Sequence, residues 1–207
     1  MSLIRKYFNQ TRKPEGTMGK LMLSSMNSGH AKLSDWGFTR LPRTDLKTAI
    51  DLGCGAGANA KKLLNKYPNA HVTALDYSEL SVRKTDEYNR EAINNGRCTV
   101  LQGDVADLKL PENSFDLATA FETVYFWPGL EQCFAQVAKI LRKDGVFVIC
   151  NESDGNDATS KKFEGMIEGM KCYTTEQIKA ALNSAGFSAI TCDHHPNKPW
   201  ITVVARK

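Results

Sequence analysis

From Thr44 onward, short apolar runs alternate with amphipathic stretches. Thr48-Ala49-Ile50-Asp51-Leu52 reads as a strand, residues 53–57 are glycine-rich, and a helix then runs to about Lys66, closed by Pro68. His71 to Leu75 is a second strand. Ser78 is placed to N-cap a helix that runs to about Asn95, with Gly96 as its stop. Arg97 to Leu101 and Phe115 to Ala120 are the third and fourth strands. Leu130, Phe134, Val137 and Leu141 recur at spacings of four, three and four, which predicts a helix facing a core. Asp144-Gly145 makes a turn into a fifth strand, Val146 to Cys150. Thr174-Thr175-Glu176-Gln177 is a capping box that opens a further helix, ended near Gly186. Ser188 to Cys192 and Trp200 to Ala205 are the last two strands.

This alternation predicts a parallel sheet with helices on both faces. Only residues 193–199 separate the last two strands, whereas a parallel crossover needs about a dozen residues. The final strand is therefore expected to run antiparallel to its neighbour. Residues 1–45 differ from the rest. They are polar and punctuated by Pro14, Gly16, Gly19, Gly29 and Pro42, with one helical stripe formed by Met18, Leu21, Met22, Ser25 and Met26. They are expected to form a helical cap, leaving residues 46–207 as the main domain.

Composition narrows the class. The chain has 207 residues, 42% hydrophobic and 24% charged, which suits one domain with a real core. Twenty-seven basic against 23 acidic residues leave a charge of +4, too mild for a dedicated nucleic-acid face. The longest apolar run, Val146 to Cys150, is far short of the ~18 residues of a membrane span, and the first residues carry no apolar leader. A cytoplasmic location is expected. The six cysteines include no C-x-x-C pair and mostly sit in apolar stretches, as reduced thiols do. His194-His195 are strand neighbours that point to opposite faces, so no metal site is expected.

The candidate chemistry begins at Asp51-Leu52-Gly53-Cys54-Gly55-Ala56-Gly57, between a strand and a helix. Glycines there permit a tight turn and close approach of backbone N–H groups to a ligand. Asp76 ends the second strand, where a carboxylate can accept two hydrogen bonds from ribose hydroxyls. With Ala58 the spacing also fits the dinucleotide fingerprint G-x-G-x-x-A, so a nicotinamide-dependent oxidoreductase stays open at this point. Gln102-Gly103-Asp104-Val105 places another carboxylate at the same edge, where it can accept from an exocyclic amino group such as adenine's. That residue and the antiparallel last strand argue against the nicotinamide reading.

These segments, with Leu110-Pro111, Ser114-Phe115-Asp116-Leu117 and Ile140 to Val146, resemble the class I S-adenosylmethionine (SAM) dependent methyltransferases. The likeness covers most of residues 46 to 150 and looks closest to the small-molecule, ubiquinone/menaquinone-biosynthesis-like group. It implies a doubly wound α/β fold: a mostly parallel seven-stranded, Rossmann-like sheet with an antiparallel last strand. It also implies SAM as cofactor. Gly53, Gly55 and Gly57 would approach the methionine part of SAM, with Asp51 orienting that loop and the amino group. Asp76 would bind the ribose and Tyr77 would lie beside the adenine. Asp104 would accept from the adenine amino group, with the Val105 backbone against the ring.

Methyl transfer from a sulfonium needs mainly a nucleophile held in line, a proximity effect of roughly 7–11 kcal/mol. The segment after strand four, Glu122-Thr123-Val124-Tyr125-Phe126-Trp127, is therefore the expected acceptor edge. Glu122 could bind an amine or remove a proton, and Tyr125 and Trp127 could wall the pocket. His30, Trp36 and the methionine face of the cap are candidates to close it. Residues 153–157 and the Met166–Met170 stretch are expected as another wall. The segment has neither the N/D-P-P-Y/F run nor the Pro-Cys pair of nucleic-acid methyltransferases, so a small-molecule acceptor is expected. A non-catalytic SAM-binding protein is the remaining alternative.

Overall fold

The computed structural model describes residues 7–207, with backbone only for residues 26–28. Helices α1 (Gly16–Gly29) and α2 (Ala31–Phe38) precede a three-layer α/β unit. Its elements are β1 (Thr48–Leu52), α3 (Ala58–Lys66), β2 (His71–Asp76), α4 (Glu79–Tyr88), α5 (Arg90–Asn94), β3 (Cys98–Gln102) and β4 (Phe115–Phe121). There follow α6 (Leu130–Ile140), β5 (Leu141–Asn151), α7 (Ala158–Met166), α8 (Thr175–Ser184), β6 (Ser188–His194) and β7 (Ile201–Arg206).

The seven strands form one sheet in the order β3-β2-β1-β4-β5-β7-β6. β1 pairs parallel with β2 and β4, while β7 pairs antiparallel with both β5 and β6, as the short last connection requires. The strand order reverses between β1 and β4, which opens a crevice at their carboxyl ends. Both sheet faces are covered, so β1 and β2 read as nearly continuous buried runs. Alternation assigns the faces. Ile50 and Leu52 join the core under α6 and α8, with Phe134, Phe147 and Leu182. Ala49 joins the core under α3, with Leu63, Leu64 and Val72.

Ser78 and Thr174 cap their helices as expected, and Thr174 forms the full capping box with Gln177. Three local expectations change. The helix after Ser78 breaks at Asn89, whose side chain turns away to bond the glycine loop. β5 begins earlier, at Leu141, and a register shift between Phe115 and Leu117 absorbs the Asp144-Gly145 turn. In α1, Met22 and Leu23 are buried while Leu21 is 64% exposed and Met18 is exposed, so the buried stripe is rotated from the one expected. The Met26 side chain lies outside the described residues.

Candidate active-site crevice

A cavity of about 900 Å³ occupies the carboxyl edge of the sheet. Gly53 to Ala56, Asp76, Tyr77 and Gly103 to Val105 line one end. Glu122, Phe126, Trp127, Lys171 and Tyr173 also line the cavity, and Thr123 lies between them and Gly53. Thr11, Arg12, Leu23 and His30 reach it from the cap.

The three loop glycines all adopt positive φ (79°, 56° and 85°), a region costly for other residues, but their surroundings differ. A Cβ on Gly53 would collide with the Thr123 side chain, and one on Gly57 would meet Asn89 Nδ2 at 2.5 Å. At Gly55 the nearest atom would be Leu23 Cδ2 at 4.0 Å, so this backbone borders open cavity. The loop is clamped from beneath: the Gly53 and Cys54 N–H groups donate to Leu75 O, and the Thr85 hydroxyl donates to Gly55 O. Cys54 is a buried filler beside Thr85, and burial holds its thiol well above the ordinary range, which disfavours the thiolate.

Asp51 lies on the same strand face as Thr119, whose hydroxyl donates to Oδ1 at 3.0 Å. Its Oδ2 is buried and has no partner among the described residues. Burial, opposed by the Thr119 hydrogen bond and reinforced by Asp76, raises its pKa to about 7. Asp76 accepts the Gly55 N–H on Oδ2 and the Ser78 N–H on Oδ1, both at 2.9 Å. Burial raises its pKa against those two bonds. Asp104 is exposed at the rim and caps the turn that carries Val105, accepting the Ala106 N–H. The Tyr77 hydroxyl donates to Arg12 O, which ties residues 11–14 across the crevice, and Ser78 Oγ donates to Pro14 O at 3.0 Å. A glycine pair, two carboxylates and an open wall thus fit a ribonucleoside bearing a small zwitterion.

At the other end, Glu122 holds φ of 60°, a strained position for a non-glycine residue. Its Oε1 accepts the Tyr125 hydroxyl at 3.0 Å and the Glu152 N–H. Its Oε2 stands 3.8 Å from His30 Nε2. Burial raises the Glu122 pKa to about 7, while His30 opposes the rise. Tyr125 also accepts the Ser153 N–H at 3.1 Å, so it braces Glu122 from behind and does not wall the cavity. Trp127 lines the cavity with part of its ring and packs against Phe134 and Phe147 with the rest.

Other expected placements shift. Trp36 packs against His195 and Trp200, on the outer side of α2, and does not close the crevice. Of the two segments expected as a wall after β5, the Met166–Met170 stretch contributes Gly169, next to Lys171 and Tyr173, and residues 153–157 do not line the cavity. Lys171, Tyr173 and Glu152 carry no sequence signal that marks them as site residues. Glu152 is brought beside Glu122 because β4 and β5 pair in parallel up to Phe121 and Cys150, so that its N–H donates to Glu122 Oε1.

Residues 50–149 match a family model described as a methyltransferase domain. A sterol 24-C-methyltransferase of Gibberella zeae is 27% identical over 155 residues, covering 70% of this chain and 40% of that protein. A malonyl-(acyl-carrier protein) O-methyltransferase of Geobacter sulfurreducens is 26% identical over 169 residues, covering 72% of this chain and 61% of that protein. The chain spans under half the length of the sterol methyltransferases it matches, at 40% and 46%. Among solved structures, a chain from the complex of the Haloferax volcanii Trm112 methyltransferase activator has TM-score 0.83 at 16% identity, covering 100% of this chain and 98% of that one. A SAM-dependent methyltransferase from Mesorhizobium loti has TM-score 0.69 at 21% identity, covering 84% and 98%.

Proposed function

Residues 50–149 belong to the methyltransferase domain family on a class I SAM-dependent fold, and from that premise we propose that the chain methylates a small-molecule acceptor. The observation that carries the reading is the division of one cavity. A glycine and carboxylate cradle occupies one end, and a braced carboxylate, Glu122, faces the other.

SAM, when bound, supplies a methyl group on a positive sulfonium that a nucleophile displaces directly. Gly53 to Gly57 and Asp51 would hold its amino-acid part, Asp76 its ribose, and Tyr77, Asp104 and Val105 its adenine. Glu122 would bind or deprotonate the acceptor. Tyr125 fixes the Glu122 carboxylate, and Trp127 and Phe126 exclude water beside it. His30 and residues up to 45 would act as a cap over both ligands. A formal net charge of only +4 supports a small acceptor over a nucleic acid. Asp104 and the antiparallel β7 support SAM over a nicotinamide.

Calorimetry with SAM and NAD, followed by a demethylated-product release assay over amine, hydroxyl and thiol acceptors, tests the reading. SAM is expected to bind and NAD is not. Tight NAD binding without SAM binding would overturn the proposal. SAM binding with no turnover on any acceptor class would favour a non-catalytic binder.

A further inference from the structure

Three side chains of metal-ligating type from distant parts of the sequence converge beside the cavity, and two of them, His30 and Glu122, line it. His30 comes from the turn between α1 and α2, Glu122 follows β4, and Glu152 follows β5. His30 Nε2 lies 3.8 Å from Glu122 Oε2 and 3.7 Å from Glu152 Oε2, and the three donor atoms all lie within 4.8 Å of one another.

These spacings are too wide for a closed ion pair, whose charged hydrogen bonds run about 2.7–2.9 Å. They are close to what an intervening ion imposes: metal–ligand bonds of about 2.0–2.2 Å set adjacent donors roughly 3 Å apart and opposite donors roughly 4.3 Å apart. The donors therefore surround an ion-sized gap. Glu122 is aimed at it, because the Tyr125 hydroxyl and the Glu152 N–H occupy Oε1 and leave Oε2 toward His30. Outer hydrogen bonds of this kind orient ligating carboxylates at metal sites. The local charge asks for a cation as well. Among the described residues, His30 is the only basic group within 4 Å of either carboxylate. The Glu122 side chain is only 12% exposed, so solvent screens it little.

We propose that His30, Glu122 and Glu152 bind one divalent metal ion of the class that takes mixed imidazole and carboxylate donors, such as manganese or zinc. With three protein ligands the ion keeps open positions toward the cavity, where water or an acceptor oxygen can coordinate. The cap then has a chemical part in the site, since it delivers one of the three ligands.

The test uses the full chain made without a polyhistidine tag and stripped by chelator and dialysis. Mn²⁺ uptake is followed by loss of the free-ion paramagnetic resonance signal, and Zn²⁺ uptake by calorimetry. One ion per chain is expected. Glu152→Gln and His30→Ala should each weaken uptake by at least about 10-fold, since losing even an outer partner of a ligand costs roughly that much. Both sites are partly exposed, so neither change threatens the fold. Glu112→Gln, at an exposed carboxylate paired with Lys139, should leave uptake unchanged. No saturable uptake of either ion, or uptake unaffected by Glu152→Gln and His30→Ala, overturns the proposal. The assay needs neither SAM nor an acceptor, so its failure leaves the methyl-transfer reading standing, and failure of SAM binding leaves the metal result standing.

Discussion

The Asn89 side-chain amide donates to the Gly57 carbonyl at 3.1 Å and, from the same nitrogen, to Thr85 O at 3.1 Å. The helix after Ser78 breaks at this residue, and the break turns a surface helix into a clamp on the end of the glycine loop. Asn89 is fully buried, so Asn89→Ala removes one side-chain hydrogen bond from each carbonyl, which keep the Lys61 and residue-89 backbone N–H groups as donors, and opens a small void. A loss of about 1–3 kcal/mol is expected in urea denaturation. The Gly57 anchor is lost too, so SAM affinity should fall even where the variant is folded. Denaturation and calorimetry on the same preparation check both halves.

Gly53 and Gly55 separate folding from binding. Both have positive φ, but Gly53 is pressed against Thr123, whose hydroxyl in turn donates to Leu52 O at 3.1 Å. Gly53→Ala must displace that side chain and is expected to destabilise the protein strongly. Gly55→Ala meets no protein atom closer than Leu23 Cδ2 at 4.0 Å. Its cost should be the left-handed backbone alone, about 1–2 kcal/mol. The added methyl enters the cavity where the ligand would approach, so SAM affinity should drop although the thermal midpoint moves little. Unchanged SAM affinity in Gly55→Ala would detach this backbone from the cofactor.

Much of this arrangement was legible in the chain because local signals agree with the global fold. Period-two and period-3.6 apolar patterns located the seven strands and the main helices, Ser78 and Thr174 announced their caps, and the short span before β7 dictated its direction. The carboxylates and glycines of the loop could be placed because each ends or follows a strand on one edge. What escaped depends on side-chain direction in three dimensions. Tyr125 and Trp36 are aromatic residues near the crevice, but one braces Glu122 and the other faces His195. Leu21 and Leu23 are two residues apart on one helix, and only packing decides which is buried. Glu152 sits in no motif, and its partnership with His30 and Glu122 exists only once β4 and β5 lie side by side.

The raised Asp51 pKa has a signed consequence for stability. In the unfolded chain an Asp ionises near 3.9, whereas in the ligand-free fold burial holds Asp51 at about 7. Between those values the native state binds more protons than the unfolded state, so stability falls as pH rises. From pH 5.5 to 7.5 this one group should remove about 2 kcal/mol. Glu122 and Asp76 are also raised and add losses of the same sign, so the wild-type slope alone does not isolate Asp51. Asp51→Asn keeps the shape and does not titrate. Its urea-denaturation stability should decline less steeply over this interval than that of the wild type. Parallel slopes for the two proteins would place the Asp51 pKa near its ordinary value.

Glu122 is the residue on which the two ends of the cavity can be told apart. It adopts a strained backbone, receives two donors on one oxygen, and presents the other oxygen to His30 at the edge opposite the glycine loop. Among the described residues, its side-chain partners are Tyr125, Glu152 and His30, none of them in the glycine loop. Glu122→Gln keeps the shape and should leave SAM affinity nearly intact, while product release with an active acceptor falls by roughly 10²–10⁴, the usual worth of a positioned acid–base group. Asp76→Ala should behave in the opposite way. Losing a charged acceptor is worth about 1.5–3 kcal/mol, so SAM affinity should weaken roughly ten- to a hundredfold. If turnover survives in Glu122→Gln, the acceptor is held by other groups. If SAM affinity collapses in that variant, Glu122 belongs to the cofactor end and the cavity is divided elsewhere.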